Sequence, residues 1–380
     1  MARKRVIYQS EALFSGPTGA TTTGSIAQIH RVQDISHSVE VARTDVNEFG
    51  KLAALSREII EVPTVSLDFS YLAIDGFNEA SGIGLTVQGY HDGKGNLVST
   101  PTNCLSDILA NNTSEKNYYI MTREEGTDAT QDDPYSQVDF GGMGVIGVGN
   151  GFLTSYAFNA AVGELPNVST SVEASNLRFD TSGSGFANPA IDFELGTSVG
   201  GDGIELPLSS TGELQAFAVR PGDITVNFGT DKLSQGGALL DGMENLGDAS
   251  VAAVQSVAID LPLSRTPLQA LGSVFPKSRE LDLPITTTLT VSANLADISS
   301  GDLNSLICSD QASRNIKVTM RNRCGQGADL MVFEMRGATL DSQSMSASIG
   351  DNKTVDLTFS AQVGGPQDTD KGLFISGLAS

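Results

Sequence analysis

The sequence predicts a mainly β protein: two tandem β-sandwich or partial-barrel domains, each with a long hairpin and one flanking short helix. Three observations carry that expectation. The chain repeats itself internally, its apolar residues alternate with polar ones over short runs, and its 41 glycines fall mostly in turns and linkers.

The repeat is the strongest of the three. Residues 32–67 align without a gap on residues 254–289 at a shift of 222, and ten of the 36 positions are identical. They include Val32/Val254, Gln33/Gln255, Arg43/Arg265, Thr44/Thr266, Gly50/Gly272 and the triplet Ser56-Arg57-Glu58/Ser278-Arg279-Glu280. Asn117–Arg123 then matches Asn315–Arg321 at a shift of 198, and Ser155–Gly163 matches Ser342–Gly350 at 187. The order is colinear, so the pattern is a duplication. A period this long is too long for a solenoid and implies two copies of one domain. The falling shift places 24 extra residues of copy one between Phe69 and Leu109 and 11 more between Arg123 and Ser155. We divide the chain into an arm (1–24), a first domain (25–200, with insertions near 72–103 and 126–141) and a second domain (205–380).

The elements follow in order. Ser15–Gly24 is rich in Gly, Thr and Pro and reads as a flexible arm. Ser38–Arg43 and Val62–Tyr71 alternate, the latter placing Val65, Leu67, Phe69 and Tyr71 on one face. Ala258–Leu263 and Thr286–Ser292 do the same in copy two. Each copy therefore reads strand, Arg-Thr, a loop holding Gly50 or Gly272, and strand: a long hairpin with an extended tip. Leu105–Ala110 and Asp302–Cys308 are the helical candidates, with Asp302 able to cap the second. Val168–Leu177 and Thr354–Val363 are closing strands. The joining region, 178–250, holds loop-like Phe179–Phe186 and Gly196–Gly203 and strand-like Ala216–Val219 and Asp223–Phe228.

Composition narrows the function classes. Twenty-three Lys and Arg against 45 Asp and Glu give a net charge of −22, the opposite of a phosphate-binding surface. The basic start, Ala2–Val6, is followed by no apolar run and does not read as a signal peptide. No stretch reaches the roughly 20 apolar residues of a membrane helix. Cys104, Cys308 and Cys324 have no metal spacing and read as thiols of a reducing cytoplasm. Gly142–Gly147 spells GxGxxG, but Val148–Phe152 after it reads as turn and strand where a dinucleotide site needs a helix. Asp128, Asp132 and Asp133 lack the spacing of a calcium loop. His30, His37 and His91 accompany no nucleophile motif. No catalytic, cofactor or metal residues are expected.

The runs Arg43–Gly50, Val62–Tyr71 and Asp75–Glu79, with Gly151–Gly163 and the Ser/Val-rich strand after it, resemble the major tail tube proteins of long-tailed bacteriophages. Copy two departs from the pattern: Pro267 stands for Asp45, Leu271 for Phe49, and the Gly-Phe-Asn-Glu segment is absent. The resemblance implies a non-enzymatic virion protein, assembled in the host bacterial cytoplasm. Its domains form rings whose inner sheets join into a central β-barrel, and the rings stack into a hollow conduit for DNA ejection. Two domains per chain imply a homotrimeric, pseudo-hexameric ring. The implied partners are further copies of the chain, a tape-measure protein, tail tip and terminator proteins, and genomic DNA that passes without specific binding. An acidic lumen would repel DNA and let it slide. Two rivals remain: a capsid-decoration or receptor-binding β-sandwich, which forms a discrete oligomer that never stacks, and an enzyme on a duplicated β-scaffold, which needs converging titratable groups.

Ten residues stand out as candidates for ring-stacking or inter-subunit contacts: Arg43, Thr44, Phe49, Gly50 and Glu58 in copy one, and Arg265, Thr266, Leu271, Gly272 and Glu280 in copy two. Arg43 and Arg265 either bridge to an acid such as Glu58 or Glu280 of a neighbour, or pair within their own domain or stay solvated on the hairpin. Phe49 either docks on a neighbour or folds against its own domain.

Overall fold

The computed structural model describes residues 11–20, 25–61, 63–88, 102–110, 115–123, 129, 144–181, 186–193, 195–199, 203–207, 223–227, 252–272, 275–276, 278–295, 313–321, 329–347 and 352–377. The fold is mainly β, dominated by one large antiparallel sheet. The first half contributes β1 (Glu11–Pro17), β2 (Ala27–Ile29), β3 (Val32–Glu40), β4 (Arg43–Val46), β5 (Ser56–Ile59), β6 (Thr64–Leu72), β7 (Val87–Gln88), β8 (Lys116–Thr122), β9 (Gly144–Ala161), β10 (Asn167–Ala174), β11 (Asn176–Asp180), β12 (Ile191–Asp192) and β13 (Thr197–Ser198). The second contributes β14 (Ile224–Asn227), β15 (Ala252–Pro262), β16 (Arg265–Leu268), β17 (Ser278–Leu281), β18 (Thr286–Leu295), β19 (Arg314–Arg321), β20 (Asp329–Ser346), β21 (Thr354–Gln362) and β22 (Gly372–Gly377). A π-helical turn at Asn78–Ile83 and helix α1 (Ser106–Ala110) complete the described elements.

Eight strands run side by side in the order β3-β6-β10-β9-β15-β18-β21-β20. Their alternation splits each strand between two faces. In β6 the residues Val65, Leu67, Phe69 and Tyr71 are buried, as the spacing predicts. Both 18-residue strands, β9 and β20, serve two layers. The first part of β9 pairs with β8 and β11, and its last part with β10 and β15. The first part of β20 pairs with β19 and β22, and its last part with β21. The buried faces of the layers meet in one apolar cluster spanning both halves. Within it Phe158 of β9 lies 4.6 Å, ring centre to ring centre, from Phe333 of β20.

The strand pairing occurs twice, and in the registers of the sequence repeat. Ser36 faces Asp68, and 222 residues on, Ala258 faces Thr290. Val168 faces Phe158, and 187 residues on, Val355 faces Met345. The irregularities coincide as well. A bulge skips Gln33 in β3 and its identical counterpart Gln255 in β15. A second skips Thr154 in β9 and Asp341 in β20. A bulge breaks the ladder and re-aims the strand, so the coincidence means that the same bends are built in both halves.

Some expectations need correcting. Residues 11–17 are no flexible arm: they form β1, pairing with β8, because Ala12, Leu13 and Phe14 are buried and their backbone groups need partners. The joining region is divided, since Ile204 and Leu206 pack with Phe14 and Tyr119 of the first half. The first helix appears as α1. The second candidate, 302–308, the 126–141 insertion apart from residue 129, and 216–219 lie outside the described residues.

The 72–103 insertion ties the halves together. It holds the π-helical turn and β7, which pairs in parallel with β22. Beside it Cys104 N–H donates to Leu373 O (2.8 Å), and Asn103 Nδ2 donates to the carbonyls of Gly364 (3.1 Å) and Gly365 (2.9 Å). At Gly377 a Cβ would sit 2.2 Å from Asp75 O, so only glycine allows this approach.

The π-helical turn inserts Glu79, 1% exposed, beneath the sheet. Tyr71 O–H (2.9 Å) and Tyr156 O–H (3.3 Å) both donate to Glu79 Oε1. Burial raises the Glu79 pKa to about 7; the two tyrosine hydrogen bonds oppose that rise and nearby Asp75 adds to it. A carboxyl whose folded pKa lies above its unfolded value of 4.5 costs nothing below that value and loses stability as pH rises to about 7. That loss is roughly 3 kcal/mol. Glu79→Gln keeps the shape and abolishes the titration. Urea unfolding from pH 4.5 to 8 should show this loss in the wild type and not in the variant; equal slopes would contradict it.

Candidate assembly interface

The face of the eight-strand run opposite the core is lined by small polar side chains. One row crosses all eight strands: Asp34, Ser70, Ser169, Ala157, Asp260, Thr288, Ser360 and Thr339. Rows beside it hold Ser36, Asp68, Ser171 and Ser155, and Ala258, Thr290, Thr358 and Ser342. The side chains are small and polar. The eight segments (32–40, 64–72, 155–161, 167–174, 252–262, 286–295, 339–346 and 354–362) contain no Lys or Arg, but they carry Asp34, Glu40, Asp68, Glu173, Asp260, Asp341 and Asp356. Such a face is lined by small side chains, and the strands themselves contribute only acids to it; the guanidinium groups of Arg279, on Glu173, and of Arg265, over Phe152, reach its hairpin end. The sequence signal for it was present: each alternating strand places Ser, Thr, Ala, Asn or Asp on its polar side and never a cation.

The two hairpin tips extend from the same end of this sheet. β4–β5 and β16–β17 form separate two-stranded ribbons with equivalent registers, Arg43 opposite Ile59 and Arg265 opposite Leu281. Gly50 (φ 88°) and Gly272 (φ 91°) take the left-handed conformation that the tip requires, which explains their identity in the two copies. Phe49 and Leu271 are fully exposed. Among the sequence candidates, Phe49 therefore does not fold back on its own half. Leu52, Leu55 and Ile60 add exposed apolar surface on the first tip and Leu268 on the second.

At their bases the hairpins differ. In copy two, Arg265 Nε donates to Leu153 O (3.1 Å), its Nη1 donates to Arg279 O (3.1 Å), and its guanidinium lies 5.0 Å above the centre of the Phe152 ring. Burial lowers its pKa to about 10, partly opposed by nearby Glu280. Arg279 is buried and pairs with Glu173 of the first half. Glu280 accepts from Ser278 Oγ (2.9 Å) and Thr266 Oγ1 donates to Asp282 (2.7 Å). In copy one, Arg43, Thr44 and Glu58 are exposed, and Arg57 pairs with Asp45 of its own hairpin (2.7 Å). The candidates thus fall into two groups: a copy-two base docked on the first half, and a copy-one base docked on nothing described.

The sheet edges show the same asymmetry. β15 is covered on both sides, by β18 and β9. Its counterpart β3 pairs only with β6 among the described residues, leaving Val39 48% exposed. β9 is covered by β10 and β15, whereas residues 339–346 of β20 pair only with β21 among the described residues. There Met345, the counterpart of fully buried Phe158, is 42% exposed.

Among the described residues no three His, Cys, Asp or Glu are placed to hold a metal, and no helix is long and apolar enough to cross a membrane. No known protein family matches the chain, and no curated protein matches its sequence.

The Arg279–Glu173 contact gives a stability test. Glu173→Ala leaves a buried guanidinium without its carboxylate, which should cost about 2 kcal/mol, scaled down from the fully buried case because Glu173 is 31% exposed. Asp45→Ala at the exposed Arg57 pair should cost less than about 0.5 kcal/mol. Urea midpoints of the two variants should differ accordingly, and equal midpoints would refute the assignment.

Proposed function

We propose that the chain is a tail tube subunit of a long-tailed bacteriophage: two tandem domains of common ancestry, three chains per ring, and rings stacked into a conduit through which DNA leaves the virion. The observation that carries this reading is the polar face of eight strands that themselves carry no Lys or Arg. In a ring that face lines the bore. Small Ser, Thr and Ala side chains keep the wall smooth, and the acids repel phosphate, so a duplex moves past without a binding site to hold it. The apolar hairpin tips at one end of the sheet serve contacts between successive rings. Exposed sheet edges in a free subunit are an aggregation liability, which closure into a ring removes. On this reading the partners are further copies of the chain, the tape-measure protein inside the bore and the tip and terminator proteins at its ends.

Charge reversal in the bore tests the reading. Tubes assembled from an Asp68→Lys, Asp260→Lys, Asp356→Lys variant should retain linear duplex DNA at about 50 mM salt and release it by about 200 mM, as phosphate contacts do. Wild-type tubes should retain none at either salt. Equal behaviour of the two would sink the proposal that this face meets DNA.

A further inference from the structure

The two edges left unpaired among the described residues are the counterparts of two edges that are joined inside the chain. β15 pairs with β9 in one unbroken register: Val257 faces Ala160, Ile259 faces Phe158, Asp260 faces Ala157 and Leu261 faces Tyr156. Hydrogen bonds bound this seam at both ends, Val162 N–H to Gln255 O (2.8 Å) and Leu263 N–H to Thr154 O (2.8 Å). β3 equals β15 at the shift of 222, and the last part of β20 equals β9 at 187, each verified by strand registers and bulges. The internal seam is therefore a template for a seam between chains.

We propose that β3 of one chain pairs antiparallel with the end of β20 and Ala347 just after it in a second copy, with Ile35 opposite Ala347, Ser36 opposite Ser346, His37 opposite Met345, Ser38 opposite Ser344 and Val39 opposite Gln343. This rests on the ring reading above and gives its closing contact. The composition fits. Ile35, Val39 and Met345 fall on the core side, continuing the row of Val257, Ile259, Leu261 and Phe158, and the seam would cover the exposed surface of Val39 and Met345. Ser36, Ser38, Ser344 and Ser346 extend the small polar face. The amide of Gln343, whose nitrogen and oxygen are buried without a hydrogen-bond partner among the described residues, would lie on the new seam. Neither edge carries the Lys or Pro that shields a permanent edge strand.

The template also assigns a role to Arg43. Arg265 reaches across the internal seam to the carbonyl of Leu153 at the β9 bulge. Leu153 maps onto Leu340, which is again a leucine beside a bulge. Arg43 of one chain would donate to Leu340 O of the next. Arg57 has no such part, because Glu173, which holds Arg279, maps onto Ser360. Arg57 pairs with Asp45 instead. The polar anchor between chains is a single guanidinium on a backbone carbonyl.

The register is tested by cysteine pairs in the full chain with Cys308→Ser and Cys324→Ser. Ser38 and Ser344 correspond to Asp260 and Ala157, which lie between the hydrogen-bonded rungs, where Cα atoms are about 4.5 Å apart and a disulfide fits. Ser38→Cys with Ser344→Cys should link chains into closed trimers under mild oxidation. Ser36→Cys with Ser342→Cys is four residues out of register, roughly 13 Å apart, and should not link. Arg43→Ala should raise the concentration needed for ring formation by at least about tenfold, the scale of one charged donor, whereas Arg57→Ala should leave it unchanged. Hollow rings in which the first pair stays unlinked, or the second links, would overturn the register and leave the ring reading standing. Chains that form no ring at any concentration would overturn both.

Discussion

The structure depends on one backbone ladder: β9 of the first half against β15 of the second. Without it there would be two separate sheets, each with exposed edges. With it, eight strands share one core face and one polar face. The ladder is reinforced on the core side by Phe158, Tyr156, Ile259 and Leu261, each at most 1% exposed and each worth roughly 2 kcal/mol of buried apolar surface. Around it gather the Arg279–Glu173 pair, the Arg265 reach to Leu153, and the strap formed by β7 against β22. None of these has a described counterpart at the outer edges, so the chain is firmly joined internally and, among the described residues, unpaired at its two outer edges. On the proposed reading, that combination suits a subunit that folds first and assembles afterwards.

The two halves differ in sequence where their neighbours differ. Strand β15, covered on both sides, carries Ile259 where β3, paired only with β6 among the described residues, carries His37, and buried Phe158 of β9 becomes Met345 in β20. A strong apolar row suits a seam closed during folding. A weaker row, with histidine and glutamine in it, keeps the free chain from presenting a long hydrophobic edge. The hairpin bases follow the same logic. Glu173 is present where Arg279 is buried, and serine takes its place at 360, where Arg57 has found Asp45 on its own hairpin.

Much of this was legible in the sequence, for physical reasons that single residues make plain. Alternation in 62–71 identified the buried face of β6, because a strand facing core on one side must repeat every second residue. Identity of Gln33 with Gln255 and of Gly50 with Gly272 marked positions of special backbone geometry, a bulge and a left-handed tip. What stayed hidden lacks periodicity. β1 is a short strand buried without a break from residue 12 to residue 16, with no polar face to alternate. The π-helical turn carries Glu79, whose burial depends on Tyr71, eight residues before it, and on Tyr156, 77 residues after it. The docking of Arg265 on Leu153 is a contact between halves that no local pattern encodes. The polar face was present in every strand, but it became one surface only when the strand order was known.

The central claim is that this sheet closes into a stacked ring around an open bore. Electron microscopy of the purified protein, with class averages viewed along the assembly axis, tests it most directly. The account predicts hollow rings of three chains showing six similar lobes, stacked along one axis. Closed particles without a bore, or a trimer that never stacks, would contradict it.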